Sequence, residues 1–189
     1  MAKRFLIAGT GPRVGKTTVG CALGFAMRAR GLRVGVMKPI DTPESQDAQA
    51  LALAVGSITP MDLICPHRSS PIVSADMSHI ARCFNEIAAQ SDAVLVEAAS
   101  SLDFADLATS LNLEVILIAG NRPDCTDATT LVLQRCESRA LTVAGCILCD
   151  CDPTPAIDDT PLREICGDRY LGRMRHREPL AKSIVEKLV

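Results

Sequence analysis

Short aliphatic runs, each followed by a stretch of helical periodicity, constrain this chain more than anything else in it. Residues 93–97 read Ala-Val-Leu-Val-Glu and residues 114–119 read Glu-Val-Ile-Leu-Ile-Ala. Neither run alternates apolar with polar, so both faces of each strand have to be covered. Residues 4–8, 33–38 and 142–149 carry runs of the same kind. Between and beyond them, residues 16–30, 47–55, 77–90, 103–111 and 126–137 read as helices, most clearly where Ile80, Cys83, Phe84 and Ile87 recur at helical spacing. Residues 179–189 read as a final helix. Alternation of apolar strands with helices implies an α/β domain of the doubly wound type. Its sheet is mostly parallel, with helices on both faces and right-handed crossovers. The length of 189 residues suits a single domain over 1–189. Aromatics make up 3% of the chain and there is no Trp, so Ala, Val, Leu and Ile must build the core.

Several function classes are disfavoured early. The formal net charge of −2 gives no basic excess for a nucleic-acid backbone. No apolar run reaches the roughly 18 residues of a membrane span. Residues 5–8 are too short for the apolar core of a signal peptide, so a cytoplasmic location is expected. Nine cysteines, an odd number, are then expected as reduced thiols. Cys146, Cys149 and Cys151 form a C-x₂-C-x-C cluster. It reads either as a metal or Fe–S site or as small residues on a buried strand and its exit. The second reading is favoured, because a closed metal site needs a fourth ligand and none lies nearby in sequence.

In parallel sheets of this kind ligands sit at the carboxyl ends of strands. The first strand ends in Gly9-Thr10-Gly11-Pro12-Arg13-Val14-Gly15-Lys16-Thr17-Thr18. Glycines let backbone N–H groups approach a phosphate, and the helix that follows directs its positive end at the same anion. Lys16 is placed to reach the β- and γ-phosphates of ATP, and the Thr17 hydroxyl to ligate Mg²⁺. The loop, G-x₅-G-K-T, is one residue longer than usual. We assign Gly11, Pro12, Arg13, Val14, Gly15, Lys16, Thr17 and Thr18 to the phosphate site. A dinucleotide fold is the rival, but Val14 breaks its glycine spacing. The second strand also ends in Lys38 rather than the acidic residue that would bind ribose hydroxyls. A cation there suits a second anionic group near the phosphates. Glu97 closes the most apolar strand and can reach the same Mg²⁺, while Asp47 opens a helix. His67, His79 and His176 are scattered, and no nucleophile–base pairing follows from them.

Taken together, Lys3-Arg4-Phe5 through Gly9-Thr10, Val14-Gly15-Lys16-Thr17 and Lys38-Pro39-Ile40 resemble the dethiobiotin synthetase family. That family has the same long loop, G-T-D-T-x-V-G-K-T, and a following K-P-V segment. The similarity continues through Asp47-Ala48, Ser70-Pro71, Val94-Leu95-Val96-Glu97, Asp106-Leu107-Ala108 and Val115-Ile116-Leu117-Ile118. It ends near Val143-Ala144-Gly145 and Tyr170-Leu171-Gly172, and covers about four-fifths of the chain. The resemblance implies an ATP-dependent ligase that carboxylates an amine of a diamine acid, 7,8-diaminopelargonate, with CO₂. The carbamate is then phosphorylated and a ureido ring closes. It further implies catalytic roles for Lys16, Lys38 and Thr42, Mg²⁺ held by Thr17, Asp47 and Glu97, and a homodimer with the site at its interface.

Three segments depart from the family. Ala98-Ala99-Ser100-Ser101 replaces G-A-G-G. Pro123-Asp124-Cys125-Thr126-Asp127-Ala128 replaces an L-G-x-x-N-H segment that helps bind the substrate carboxylate. Cys149-Asp150 stands for a base-binding N-D pair. Aspartates near a carboxylate repel it, so an altered amine substrate is expected. The alternative is a P-loop ATPase switch or metallochaperone that docks a protein partner. Gly11 counts against it, because partition-type switch ATPases carry Lys at that position.

Overall fold

The computed structural model describes residues 2–68, 75–99 and 103–189. Its chain runs β1 (Lys3–Gly9), α1 (Lys16–Arg28), β2 (Val34–Met37), β3 (Ile40–Asp41), α2 (Asp47–Ala54), α3 (Met61–Ile64), β4 (His67–Arg68) and α4 (Met77–Ala89). It continues with β5 (Ala93–Glu97), α5 (Phe104–Leu111), β6 (Glu114–Gly120), α6 (Cys125–Ser138), β7 (Val143–Cys149), α7 (Thr160–Cys166), β8 (Tyr170–Met174) and α8 (Lys182–Glu186). Six strands form one sheet in the order β2-β5-β1-β6-β7-β8, every neighbouring pair parallel. A small parallel pair, β3 with β4, stands apart.

Strand alternation divides the core. Phe5, Ile7, Leu95, Ile116, Ile118 and Ile147 face one side and pack on Leu23 and Met27 of α1, Leu51 of α2 and Val185 of α8. Leu6, Ala8, Val94, Val96, Leu117 and Leu148 face the other side, against Ile80 and Phe84 of α4, Leu107 of α5 and Leu162 of α7. Two layers of helix over one parallel sheet is the doubly wound arrangement expected from the aliphatic runs.

Capping explains several helix starts and stops. Asp76 accepts the N–H groups of Ser78 and His79 to open α4, and Asp103 accepts that of Ala105 to open α5. Asn112 closes α5 at φ 51, in the left-handed region.

The tail differs from expectation. Residues 179–189 do not form one helix; only Lys182–Glu186 is helical. Pro179 lacks the N–H a helix would use, and Ala181 is extended at ψ 134. The last residues instead follow the sheet surface, where Ile184, Val185 and Leu188 are buried. Five of these elements were not read from sequence: the short β3, α3 and β4, then α7 and the edge strand β8. Ser70-Pro71 of the family resemblance, and Ser100 and Ser101, fall outside the described residues. Among the described residues, no helix is long and apolar enough to cross a membrane.

Gly24 sets how closely α1 and α2 approach. A Cβ there would stand 2.6 Å from Val55 Cγ1. Ala would gain about 1 kcal/mol of helix propensity but lose 1–3 kcal/mol, roughly, to overpacking. Gly24→Ala should therefore lower the urea midpoint at unchanged m-value. A raised midpoint would show that the two helices can separate freely.

Candidate functional site

β1 is flanked by β5 and β6, so the carboxyl ends of the three strands meet at one edge. The glycine-rich loop leaves β1 there. Thr10 N–H donates to the Ile118 carbonyl at 3.0 Å, holding the start of the loop against β6. Val14 is buried and acts as a plug: a Cβ at Gly9 would stand 2.7 Å from its Cγ2, and one at Gly120 would stand 2.9 Å from its Cγ1. The residue that breaks the dinucleotide spacing thus anchors this loop. Gly15, at φ 92, turns the chain into α1. A Cβ on Gly15 would lie 2.6 Å from the Cys149 sulfur and 2.7 Å from that of Cys151. Cys146 and Cys149 are buried on β7 and Cys151 is half-buried at its exit, so two of the three clustered thiols back the loop. Among the described residues, no group of three His, Cys, Asp or Glu side chains is placed to hold a metal.

An open cavity of about 760 Å³ spreads over the loop. Pro12, Arg13, Gly15, Lys16, Thr17 and Thr18 line it from the loop side. Lys38, Asp47 and Glu97 line it as well, beside Thr17. Gly11 faces a neighbouring recess of about 340 Å³, which it shares with Lys16, Ala98, Ala99 and Phe104. Thr42 follows β3, half-buried; its N–H donates to Asp41 Oδ1, and it is not part of either wall. Asp124 and Asp127 are exposed at the start of α6 and line neither space. His176 donates from Nδ1 to the Cys151 carbonyl at 2.8 Å, and His79 sits exposed on α4.

The polar residues of the cavity form one network. Lys38 Nζ donates to Glu97 Oε1 at 2.5 Å and to Asp47 Oδ2 at 3.1 Å, and Thr17 Oγ1 donates to Glu97 Oε1 at 3.0 Å. The Lys38 and Glu97 side chains are 7% and 1% exposed, so the pair is dry. Burial alone would push the Lys38 ammonium down, but Glu97 and Asp47 outweigh it and hold its pKa above the ordinary lysine value. Burial drives the Glu97 carboxyl upward even against Lys38. Burial also lowers Lys16, with Lys38 adding to the effect and Glu97 opposing it. Cys21, on the next turn of α1, is raised to about 11 by burial and then by Glu97 and Asp47.

Glu97 Oε2 is buried and has no hydrogen-bond partner among the described residues. An orphaned carboxylate oxygen beside a Thr hydroxyl and a second carboxylate is a hard-oxygen donor set that fits Mg²⁺, which keeps waters and phosphate oxygens as its other ligands. One cation lining this cavity was not singled out from sequence. Arg122, two residues beyond β6, donates from Nη2 to the Pro12 carbonyl at 2.9 Å. Its only sequence signal is a basic residue just past a buried strand, and that gains meaning once β6 is known to lie beside β1.

A parallel sheet with a glycine-rich loop between its central strand and the following helix, a loop lysine, and a hydroxyl beside a strand-end carboxylate define a P-loop nucleotide-binding protein. Solved structures of that fold superpose on the whole chain. The septum site-determining protein MinD of Pyrococcus horikoshii OT3, complexed with Mg-ADP, matches with a TM-score of 0.69 at 18% identity, over 100% of this chain and 87% of its own. A ParA family ATPase from Chlorobium tepidum TLS matches at 0.64 and 14% identity, over 99% and 91%. A family model described as AAA domain matches residues 3–183. The ATP-dependent dethiobiotin synthetase BioD of Anaeromyxobacter dehalogenans (strain 2CP-C) is 32% identical over 198 aligned residues, 93% of this chain and 86% of the relative. ATP-dependent dethiobiotin synthetase BioD 1 of Escherichia coli (strain K12) is 32% identical over 183, covering 81% and 80%. The chain belongs to the dethiobiotin synthetase family of ATP-dependent ligases.

Removing one partner of the dry ion pair strands the other. Glu97→Ala should cost about 3 kcal/mol or more of unfolding free energy, because a buried ammonium loses its closest counter-charge. Equilibrium urea unfolding measures this. A loss below about 1 kcal/mol, the range of exposed pairs, would mean that water reaches Lys38.

Proposed function

We propose that the protein is an ATP- and Mg²⁺-dependent carbon–nitrogen ligase. In this reading it carboxylates an amine of a diamine acid with CO₂, phosphorylates the carbamate and closes a ureido ring. The observation that carries it is the buried Lys38 ammonium, held between Glu97 and Asp47 in the same cavity as the phosphate loop and linked to Thr17 through Glu97. A nucleotide store needs only the loop. A second fixed cation beside it suits an additional anion, the carbamate, whose oxygen attacks the γ-phosphorus as ADP leaves. The second amine then attacks the carbonyl carbon and releases phosphate.

Lys16 and Lys38 neutralise charge on the γ-phosphate and carbamate, which is the main protein contribution to phosphoryl transfer. Residues 11–18 cradle the phosphates, and Thr17, Asp47 and Glu97 would hold Mg²⁺, which would supply positive charge to the phosphate oxygens. The acceptor occupies the recess beside Ala98, Ala99 and Phe104. Membership of the family favours diaminopelargonate or a close analogue there. Thr42 is assigned to the acceptor side on its position after the Lys-Pro segment, and Thr42→Ala tests it through the acceptor KM. A homodimer is proposed on family membership.

Lys16→Ala should remove most MgATP affinity in calorimetry while the far-UV spectrum is unchanged, and unaltered binding would sink the phosphate-site assignment. Thr17→Val should weaken Mg²⁺ dependence more than nucleotide binding. ATP hydrolysis should be slow with nucleotide alone and faster when a diamine acid and bicarbonate are added. Lys38→Met should abolish the stimulated rate and spare nucleotide binding, since its contribution falls on charge developed in the transition state. If no diamine stimulates hydrolysis and a protein partner is captured only with nucleotide, the ligase reading fails.

A further inference from the structure

The tip of the phosphate loop is held by a side chain from another strand. Arg122 Nη2 donates to the Pro12 carbonyl at 2.9 Å and to the Arg13 carbonyl at 3.4 Å. Its Nη1 passes 3.9 Å from where a Cβ on Gly11 would stand. These contacts bracket the strained part of the loop. Arg13 sits at φ 53, left-handed backbone that a residue with a Cβ adopts only under constraint. Pro12 has no N–H to contribute to the loop's own hydrogen bonding.

The base of this arm is fixed. Arg122 N–H donates to the Gly120 carbonyl at 2.8 Å, and the Arg122 carbonyl accepts from Cys125 N–H at 3.0 Å. Asn121, just before it, donates its N–H to the Cys149 carbonyl at 3.0 Å. The Asn121 Oδ1 accepts from Ile157 N–H at 3.0 Å and from Arg173 Nη2 at 3.2 Å. Arg173 in turn is bound to both oxygens of Asp150.

We propose that Arg122 is a positioning residue that sets the Pro12–Arg13 tip of the loop for nucleotide. The proposal rests on the reading of this loop as the ATP site. A phosphate loop serves its anion with N–H groups, so its carbonyls must be engaged elsewhere; one that turns inward presents the negative end of a dipole to the phosphate. A guanidinium with several donors in a fixed fork engages both tip carbonyls from outside the loop's own sequence. Its effect therefore falls on nucleotide affinity and not on the chemical step.

Arg122→Ala, Arg122→Lys and the unmodified protein are compared by calorimetry with MgATP, by thermal melting without nucleotide, and by ATP turnover. Arg122→Ala should weaken MgATP binding about tenfold or more, as expected for lost bonds from a charged donor. Its melting temperature without nucleotide should be unchanged, as should turnover at saturating ATP. Arg122→Lys, with a single compact head, should fall between the two. Millimolar guanidinium chloride should restore part of the affinity of Arg122→Ala, while sodium chloride at equal ionic strength should not. Wild-type affinity in Arg122→Ala would overturn the proposal. So would a lowered melting temperature with no guanidinium rescue, which marks a merely structural arginine, or a fall in turnover at saturating ATP, which places Arg122 at the reacting atoms. Failure of the ATP-site reading looks different: the unmodified protein and Lys16→Ala would then bind MgATP equally poorly.

Discussion

Parallel pairing of β1 with β5 on one side and β6 on the other is the constraint on which the rest depends. The register matches Ile7 with Glu97 and Gly9 with Ile118. It therefore sets Glu97 beside the carboxyl-terminal part of β1 and gives Thr10 a carbonyl to bind. Because β2 pairs with β5 on its far side, Met37 aligns with Val96 and Lys38 emerges next to Glu97. A slip of one residue would turn Glu97 to the other face of the sheet. Aliphatic packing on both faces opposes such a slip, since it would misplace every side chain of each strand.

The buried ion pair is best understood as directed chemistry placed on that frame. Taking an ammonium and a carboxylate out of water costs several kcal/mol, roughly, for each ion, and pairing recovers that only when the remaining lone pairs are also satisfied. Here Thr17 and Asp47 supply some of the missing partners, but Glu97 Oε2 is left without one. A purely structural pair would gain from closing that gap. A buried, unpartnered carboxylate oxygen whose sister oxygen is bound to Thr17 instead suits a site whose last ligand is still to be supplied.

Much of this was legible in the sequence because the physics is local. Strands buried on both faces show as aliphatic runs, and the phosphate loop needs glycines and a lysine at fixed offsets within ten residues. Lys38 and Glu97 could be read as strand-end residues, but their contact could not, since it depends on β2, β5 and β1 being neighbours. Arg122 was passed over for the same reason. β8 was missed because an edge strand has looser demands: Tyr170, Gly172 and Arg173 interrupt its apolar face, and Gly172 sits at φ 148. The tail read as a longer helix because Ile184, Val185 and Leu188 also fit a helical stripe, although Pro179 and the extended Ala181 delay its start. The departures at Asp124 and Asp127 were visible as residue types, but their exposure away from both cavities was not.

The plug, the ion pair and the arginine clamp share a property that bears on how the chain acquires its activity. Thr17 meets Glu97 across 80 residues of sequence, and Arg122 meets Pro12 across 110. Contacts of such separation are slow to form, because loop closure is unfavourable until the intervening strands have docked. The phosphate loop itself is made within the first twenty residues, yet the residues around it come from as far along the chain as Glu97, Arg122 and Cys151. Assembly of the surroundings of the loop therefore waits on the docking of distant strands, and is a property of the whole sheet rather than of the loop.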